Sequence, residues 1–487
     1  MIPQNGPALG AANGRYRYWS GYKGGVMDWA ASYPWYADAG SKYTYQPPPG
    51  LSDDEIREMR RFYDPTPSQW EEPDFEQVST AAGTTFSLAG LRFHTDGAVF
   101  QADWTLPLTD VMQAIGAPPN DFDKLLTTPF GDPWWHDTMG YYDGSETIDV
   151  PALHVSTWYD PSVLESIDSY NYFRDHAASE LAAQHQFLIV SPTTHCGCSR
   201  ATSQTVVGDR NVGDARLDWY DICLRWFGYW LRGETDNGIT DMPRVQYYTM
   251  GSNVWQSAPQ WPLPETQSVE FFLHSSGHAN SRSGDGTLST EPPSGEEPAD
   301  SFVYDPEHPV PSVGGQRGTD YGTKAGAVDQ AEVELRTDVL CYTTAPLQKG
   351  IEVTGEIVLL LHVSSSAKDT DFACKLVDVA PDGTAYNIQT SILRARYREG
   401  FTQKVFMEEG EVYRLQIDLD ATSNFFAAGH CIRLHISSSD FPLFERNLNT
   451  GGNNYDEADW VVATNTVHHS SAHPSRLVLP VIPRGSE

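Results

Sequence analysis

Residues 150–160 read Val-Pro-Ala-Leu-His-Val-Ser-Thr-Trp-Tyr-Asp, and residues 186–195 read Gln-Phe-Leu-Ile-Val-Ser-Pro-Thr-Thr-His. Each opens as a short apolar run, the pattern of a strand buried on both faces. Between them, Pro161 to Arg174 has helical composition with Pro161 in its first turn, where a missing N–H costs nothing. After them, Asp218 to Arg232 alternates as an amphipathic helix that Gly233 stops. Strand, helix, strand and helix at this spacing predict a βαβα stretch of a parallel sheet.

In an open parallel sheet the carboxyl ends of the strands form the functional edge. Asp160 and His195 both fall there. Acid before base is the chain order of the α/β-hydrolases, in which the nucleophile comes first. The chemistry explains the residue types. A serine hydroxyl is a weak nucleophile until an imidazole takes its proton. The imidazole needs a carboxylate on its other nitrogen to fix its tautomer. The residues alone leave two plainer readings open: Asp160 as the cap of the helix after it, and His195 as one of 15 histidines in a loop.

Outward from this stretch the character of the chain changes twice. Before residue 145 it mixes aromatic loops with short helices, predicted over Leu51 to Tyr63, Asp110 to Ile115 and Asp121 to Thr127. Ser52 or Asp53 is placed to cap the first. After Gly233 helices nearly vanish. Val245 to Met250, Val269 to Leu273, Ile351 to Val363, Phe372 to Val379, Val412 to Leu419, Cys431 to Ser437 and Arg476 to Val481 have strand composition. Ser275 to Glu297 reads as a long loop. Many strands with few helices predict a β-sandwich or jelly roll.

The totals bound the rest. With 487 residues, 39% of them apolar and 12% aromatic, the chain is globular and has room for several domains. The formal charge of −33 repels nucleic acid and anionic membrane surfaces. Six cysteines in this length are no disulfide scaffold, and Cys196-Gly-Cys198 lacks a second pair at zinc spacing. No metal, cofactor, nucleic-acid or membrane partner is expected. The opening MIPQNGPALG lacks the basic and apolar regions of a signal peptide.

Pro151 to Asp160 resembles the acid motif of the cocaine esterase and X-Pro dipeptidyl-peptidase family, a Gly-Trp-Tyr-Asp segment, with Thr157 in place of the glycine. Leu188 to His195 resembles the base motif, a Gly-Pro-Trp-Xaa-His segment, with departures at Ser191 and Thr193. Leu224 to Gly233 resembles the helix that follows. Asp300-Ser-Phe-Val-Tyr-Asp-Pro, Thr337 to Thr344, Asp369-Thr-Asp-Phe, Asn447-Leu-Asn-Thr-Gly-Gly and His473 to Pro483 resemble the family's C-terminal jelly-roll motifs. The resemblance implies a serine hydrolase acting on an ester, an amide or a short peptide through an acyl-enzyme, with Asp160 as acid and His195 as base. It implies four regions: 1–14 as the end of a sheet strand, 15–145 as a helical cap, 146–240 as the rest of the α/β-hydrolase domain, and 241–487 as a jelly roll of galactose-binding type. Asp371, Asp440 and Arg446 read as turn and packing residues.

No Gly-Xaa-Ser-Xaa-Gly elbow occurs in the sequence. Ser20 and Ser87 lack the first glycine and the strand-to-helix setting that the strained elbow needs. Met1-Ile-Pro3 resembles the end of the strand that follows the family's nucleophile. The expectation is therefore a chain that starts one strand too late, inactive alone, with localisation open and the cytoplasm favoured. A non-catalytic binding module and a subunit pairing with a separate nucleophile-bearing chain are the alternatives. A complementing N-terminal chain or a homo-oligomer are the protein partners this reading leaves open. Trp19, Trp29, Trp35, Trp104, Trp134 and Trp135 form either an aromatic acyl pocket or the core of the cap.

Overall fold

A computed structural model describes residues 1–6, 21–37, 50, 52, 54–55, 78–79, 85–86, 102–117, 120–139, 141–142, 144–317 and 324–483. The described chain divides into two compact units, one of residues 1–29, 129–454 and 459–487, the other of residues 30–128 and 455–458.

In the larger unit the α/β part comprises β1 (Ala152–Tyr159), α1 (Val163–Asp175), α2 (Glu180–Gln184), β2 (Gln186–Thr194), α3 (Trp219–Arg232), β3 (Val245–Thr249) and β4 (Val254–Ala258). β1 and β2 pair in parallel from Ala152 against Gln186, and β3 joins β2 in parallel from Val245 against Leu188. β4 returns antiparallel on β3. On the other side of β1, Leu153 N donates to Met1 O, Val155 N to Pro3 O and Asn5 N to Val155 O, so residues 1–5 run parallel to β1.

Both faces of this sheet are covered, as parallel strands require. Leu153, Val155, Phe187 and Ile189 face Ile222 and Trp226 of α3. Leu188 and Val190 share the opposite core with Val163, Leu164, Ile167 and Tyr170 of α1. The ends of α3 are written in its sequence. Asp218 accepts from Asp221 N at the start, and Gly233 adopts φ 75° at the end, where a side chain would be strained.

The β-rich part has eleven strands: β5 (Gln267–His274), β6 (Thr287–Ser289), β7 (Asp300–Tyr304), β8 (Leu340–Thr343), β9 (Ile351–Ser365), β10 (Asp371–Val379), β11 (Ala385–Arg394), β12 (Tyr413–Phe426), β13 (Cys431–Ser437), β14 (Ala463–His468) and β15 (Arg476–Ile482). They join in the order β7-β14-β9-β15-β5-β6-β8-β13-β10-β11, with β12 on β9. β6 lies inside the stretch 275–297 that reads as loop from its composition. Its three residues are too few to show periodicity.

Two features differ from the sequence reading. β3 and β4 lie past the boundary expected at residue 240, yet they extend the parallel sheet. The segment from Arg244 onward also shares a buried cluster with the α/β part. Trp158, Tyr159, Val163 and Leu188 belong to the same buried cluster as Leu361, Leu376, Leu434 and Leu479. Composition marks where helices stop, but not which sheet a strand joins.

The β-rich part also buries charge. Arg394 forms a two-pronged pair with Asp371, 2.9 Å on each arm, and reaches Glu445 at 2.7 Å. Asn447 donates to Asp371 at 2.7 Å. Asp440 pairs with Lys375 at 2.8 Å, and Arg446 donates to Pro306 O at 3.0 Å. Asp371, Asp440 and Arg446 thus sit in internal pairing networks. Burial pushes Glu445 up to about 7.

In the smaller unit, short helices occupy Val111–Ala114 and Phe122–Thr127. Tyr33 OH donates to Asp103 at 2.7 Å, and Tyr36 packs on Phe122. Ser52 and Glu55 exchange bonds as a capping box, Ser52 N donating to Glu55 at 2.8 Å. The rest of the helix expected over 51–63 lies outside the described residues. No helix among the described residues is long and apolar enough to cross a membrane.

Two outcomes follow for stability. Arg394→Ala leaves two buried carboxylates without their cation and should cost about 3–5 kcal/mol in denaturant melts. A fragment beginning at Arg244 strips the shared core of Trp158, Tyr159 and the α1 residues. It should melt without cooperativity and bind ANS, whereas a sharp two-state transition would show that the shared core is dispensable.

Candidate active site

β1 and β2 are parallel neighbours, so their carboxyl ends deliver Asp160 and His195 to one edge of the sheet. The structure brings the two together: His195 Nδ1 donates to Asp160 Oδ2. The carboxylate is fully buried and the imidazole about one-third exposed. That geometry leaves Nε2 as the ring nitrogen free of Asp160.

The carboxylate is held from several sides. Ser162 N donates to Asp160 Oδ1 at 2.7 Å, and Ser162 Oγ donates to the same oxygen. Asn5 Nδ2 donates to Oδ2 at 2.6 Å. Asp160 therefore does both things its position allows. One oxygen closes the turn that leads into α1, whose N-cap is Ser162, and the other orients the imidazole.

Asn5 and Ser162 were not singled out by sequence reasoning. Asn5 adopts φ 52°. Its signal is the Asn5-Gly6 pair, because asparagine tolerates the left-handed region and marks the end of a strand. Ser162, two residues past Asp160, carries the signature of an Asx turn.

The base loop is equally constrained. Gly197 N donates to Thr194 O at 2.8 Å, closing a turn around Cys196, which adopts φ 53°. A Cβ on Gly197 would stand 2.8 Å from Thr194 O, so a side chain there would push the His195 turn open. The two departures from the family motif, Ser191 and Thr193, bond to each other at 2.7 Å. Thr157, the third, lies buried opposite Ser191 in the sheet.

The end of β1 is fastened to the β-rich part: Tyr159 OH donates to Asn387 O at 2.9 Å, and Gln316 Nε2 donates to Trp158 O at 3.4 Å. Within the sheet, Trp158 Nε1 donates to Tyr248 O of β3 at 2.6 Å. Beyond His195, the hairpin Val206–Asn211 sends Arg210 to Asn424 at 2.9 Å and to Asp378 at 3.1 Å. A site held by this many buried bonds is preorganised.

Burial by itself lowers the His195 imidazole, but the Asp160 carboxylate and the adjacent Cys196 sulfur outweigh it and hold the group up to about 10. This imidazole faces a buried carboxylate that water does not screen. His154, on the neighbouring strand β1, behaves oppositely. It is buried against Phe173, bonds Gln186 at 3.2 Å and is lowered to about 4 by that burial.

Among the described residues, His195 hydrogen-bonds no serine hydroxyl, and no group of three His, Cys, Asp or Glu side chains could hold a metal ion. Of the six tryptophans considered for an aromatic pocket, Trp29 and Trp135 are buried, Trp35 and Trp104 are half-exposed, Trp134 is intermediate and Trp19 lies outside the described residues.

Residues 237–478 match the X-Pro dipeptidyl-peptidase C-terminal non-catalytic domain. A cocaine esterase of Rhodococcus sp. (strain MB1 Bresler) is 40% identical over 368 residues, covering 74% of this chain and 61% of that protein. The chain thus spans less than two thirds of that relative's length. A solved α-amino acid ester hydrolase aligns with a TM-score of 0.64 and 25% identity, over 79% of this chain and 64% of that one. An aminopeptidase from the marine sediment archaeon Thaumarchaeota archaeon shares the fold with a TM-score of 0.71 and 22% identity, over 99% of this chain and 72% of that one.

The electrostatics give a direct titration test. A raised histidine pKa contributes stability that is fully present below the unfolded value near 6.5 and is lost as pH rises through about 10. Imidazole NMR should find His195 protonated at pH 7, with its midpoint several units above that of an ordinary histidine. Asp160→Asn should bring the midpoint down toward or below the ordinary value, because burial then acts with less opposition. An unshifted midpoint in both proteins would contradict the pairing.

Proposed function

The chain belongs to the family of cocaine esterase and the X-Pro dipeptidyl-peptidases, and from that premise we propose that Asp160 and His195 are the acid and base of a serine-hydrolase triad whose nucleophile lies outside the described residues. The observation that carries the reading is the His195–Asp160 bond at the carboxyl edge of the parallel sheet. A buried carboxylate on Nδ1 fixes the tautomer in which Nε2 can take a proton.

The reaction in this reading is acyl transfer. A serine oxygen attacks the carbonyl carbon of an ester or amide as its proton passes to His195 Nε2. The tetrahedral intermediate collapses, and the same proton goes to the departing alcohol or amine, leaving an acyl-serine. Water then attacks the acyl carbon, losing a proton to Nε2, and Nε2 returns that proton to the serine oxygen as the acyl–serine bond breaks and the acid is released. Asp160 stabilises the imidazolium in both halves. The oxyanion donors come with the nucleophile, since one is the backbone amide after the serine. We read the eleven-stranded part as a jelly roll of galactose-binding type that braces the acid and base loops.

Esters are favoured over peptides as substrates because the 40%-identical relative is an esterase by name and the α-amino acid ester hydrolase is so too. The test is complementation. The chain alone should not turn over nitrophenyl esters above a denatured control. With the serine-bearing region of the cocaine esterase supplied, turnover should appear. His195→Ala should abolish it, and Asp160→Asn should lower it by roughly four orders of magnitude, as loss of the triad acid does in serine proteases. Turnover by the chain alone that survives both substitutions would refute the assignment.

A further inference from the structure

His195 depends on one carboxylate oxygen, and that oxygen is shared. Asp160 Oδ2 accepts from His195 Nδ1 and also from Asn5 Nδ2, the latter at 2.6 Å. The other oxygen is taken by Ser162, through its N–H at 2.7 Å and through its hydroxyl. Asn5 thus meets the imidazole on the same acceptor, whereas Ser162 does not. An oxygen that accepts from two donors gives less of its charge to each.

The backbone holds Asn5 in place for this bond. Asn5 N donates to Val155 O at 2.9 Å, and Val155 N donates to Pro3 O at 3.0 Å, so residue 5 is pinned to β1 shortly before the acid. Asn5 is buried and adopts φ 52°. Glycine, asparagine and aspartate accept that conformation readily; most other side chains do not. Of the three, only asparagine has a side-chain N–H. The position combines a backbone requirement with a donor requirement, and asparagine meets both.

We propose that Asn5 is a positioning residue for the base: by donating to Asp160 Oδ2 it fixes the oxygen that orients His195 and weakens that oxygen's hold on the imidazole proton. The inference rests on the reading of His195 as a general base. A base must be neutral when it meets the serine hydroxyl, and a buried carboxylate favours the imidazolium. A second donor on the carboxylate opposes that pull. The titratable groups that bear on the imidazole are Asp160, from the end of β1, and Cys196, from its own turn, and together they hold it up to about 10. Without Asn5 it is held higher still, and less neutral base exists at any working pH.

Two variants keep the backbone conformation and remove the donor. Asn5→Gly deletes the side chain, and Asn5→Asp replaces the amide with a second carboxylate. Imidazole NMR on the full chain should place the His195 midpoint roughly one pH unit above the parent's in Asn5→Gly, the scale of one hydrogen bond to a charged group. Asn5→Asp should raise it further, because a like charge is added beside Asp160. The Nδ1 proton resonance should move downfield in Asn5→Gly as its bond to Oδ2 strengthens. If Asn5 served only to turn the chain, both variants would leave midpoint and resonance where they are, since both accept φ 52°. That result, or a midpoint lowered in Asn5→Gly, overturns the proposal. Asn5→Asp carries the test should Asn5→Gly not fold. The measurement needs no serine, so it separates from the complementation test. A raised midpoint without His195-dependent ester turnover keeps Asn5 as the residue that tunes His195 and removes the hydrolase reading. In an active complemented enzyme, the acidic limb of the kcat/KM–pH profile should rise with the NMR midpoint. Turnover in which Asn5→Gly moves neither keeps the hydrolase reading and removes the role of Asn5.

Discussion

The buried Asp160 carboxylate is the point on which the α/β part converges. Its two oxygens take hydrogen bonds from the strand at the start of the chain, from the turn into α1 and from the histidine on the next strand. A fully buried carboxylate is tolerated only when donors surround it, because the penalty for an unpaired buried charge is several kcal/mol. Asn5, Ser162 and His195 are therefore bound to one another through it. The same crowding that satisfies the charge fixes the imidazole plane, so structural necessity and preorganisation of the site are one arrangement.

The β-rich part extends that rigidity. Parallel strands need both faces covered, and here one core runs from the α1 side of the sheet into the eleven-stranded part. Tyr159, Trp158 and Arg210, all close in sequence to Asp160 or His195, end on backbone or side-chain groups beyond residue 245. The strand that ends at the acid and the hairpin that follows the base are thereby each tied to the β-rich part. The buried pairs around Arg394 add little net stability compared with an apolar core, but each resists removal of a single partner. Such networks fix one arrangement of strands, because a slipped register would strand a charge.

The imidazole illustrates how two neighbours on one sequence can be driven in opposite directions. His154 and His195 sit on adjacent strands of the same sheet. The first is lowered by burial, which its bond to the Gln186 amide only partly offsets; the second is buried as well, but its carboxylate partner raises it. In the proposed cycle, a high His195 value favours the imidazolium that forms when the serine loses its proton. It also leaves less neutral base at pH 7 in the chain by itself.

The sequence by itself determined the βαβα elements and most of the long strands. Apolar runs ending in Asp160 and His195 specified two buried parallel strands, because only a strand covered on both faces tolerates such continuity. Asp218 and Gly233 specified the ends of α3, because caps act within a few residues of where they are written. The long β-strands from Ile351 onward were legible from their own composition. What only the tertiary structure decided were relations between distant positions. Asn5 meets Asp160 across 155 residues, and no local period encodes that bond. β3 and β4 joined the parallel sheet because Leu188 and Val245 pair, a matter of long-range register rather than propensity. The raised His195 depends on how deeply a carboxylate is buried. Burial is a property of the assembled chain, so it could not be read from residue types alone.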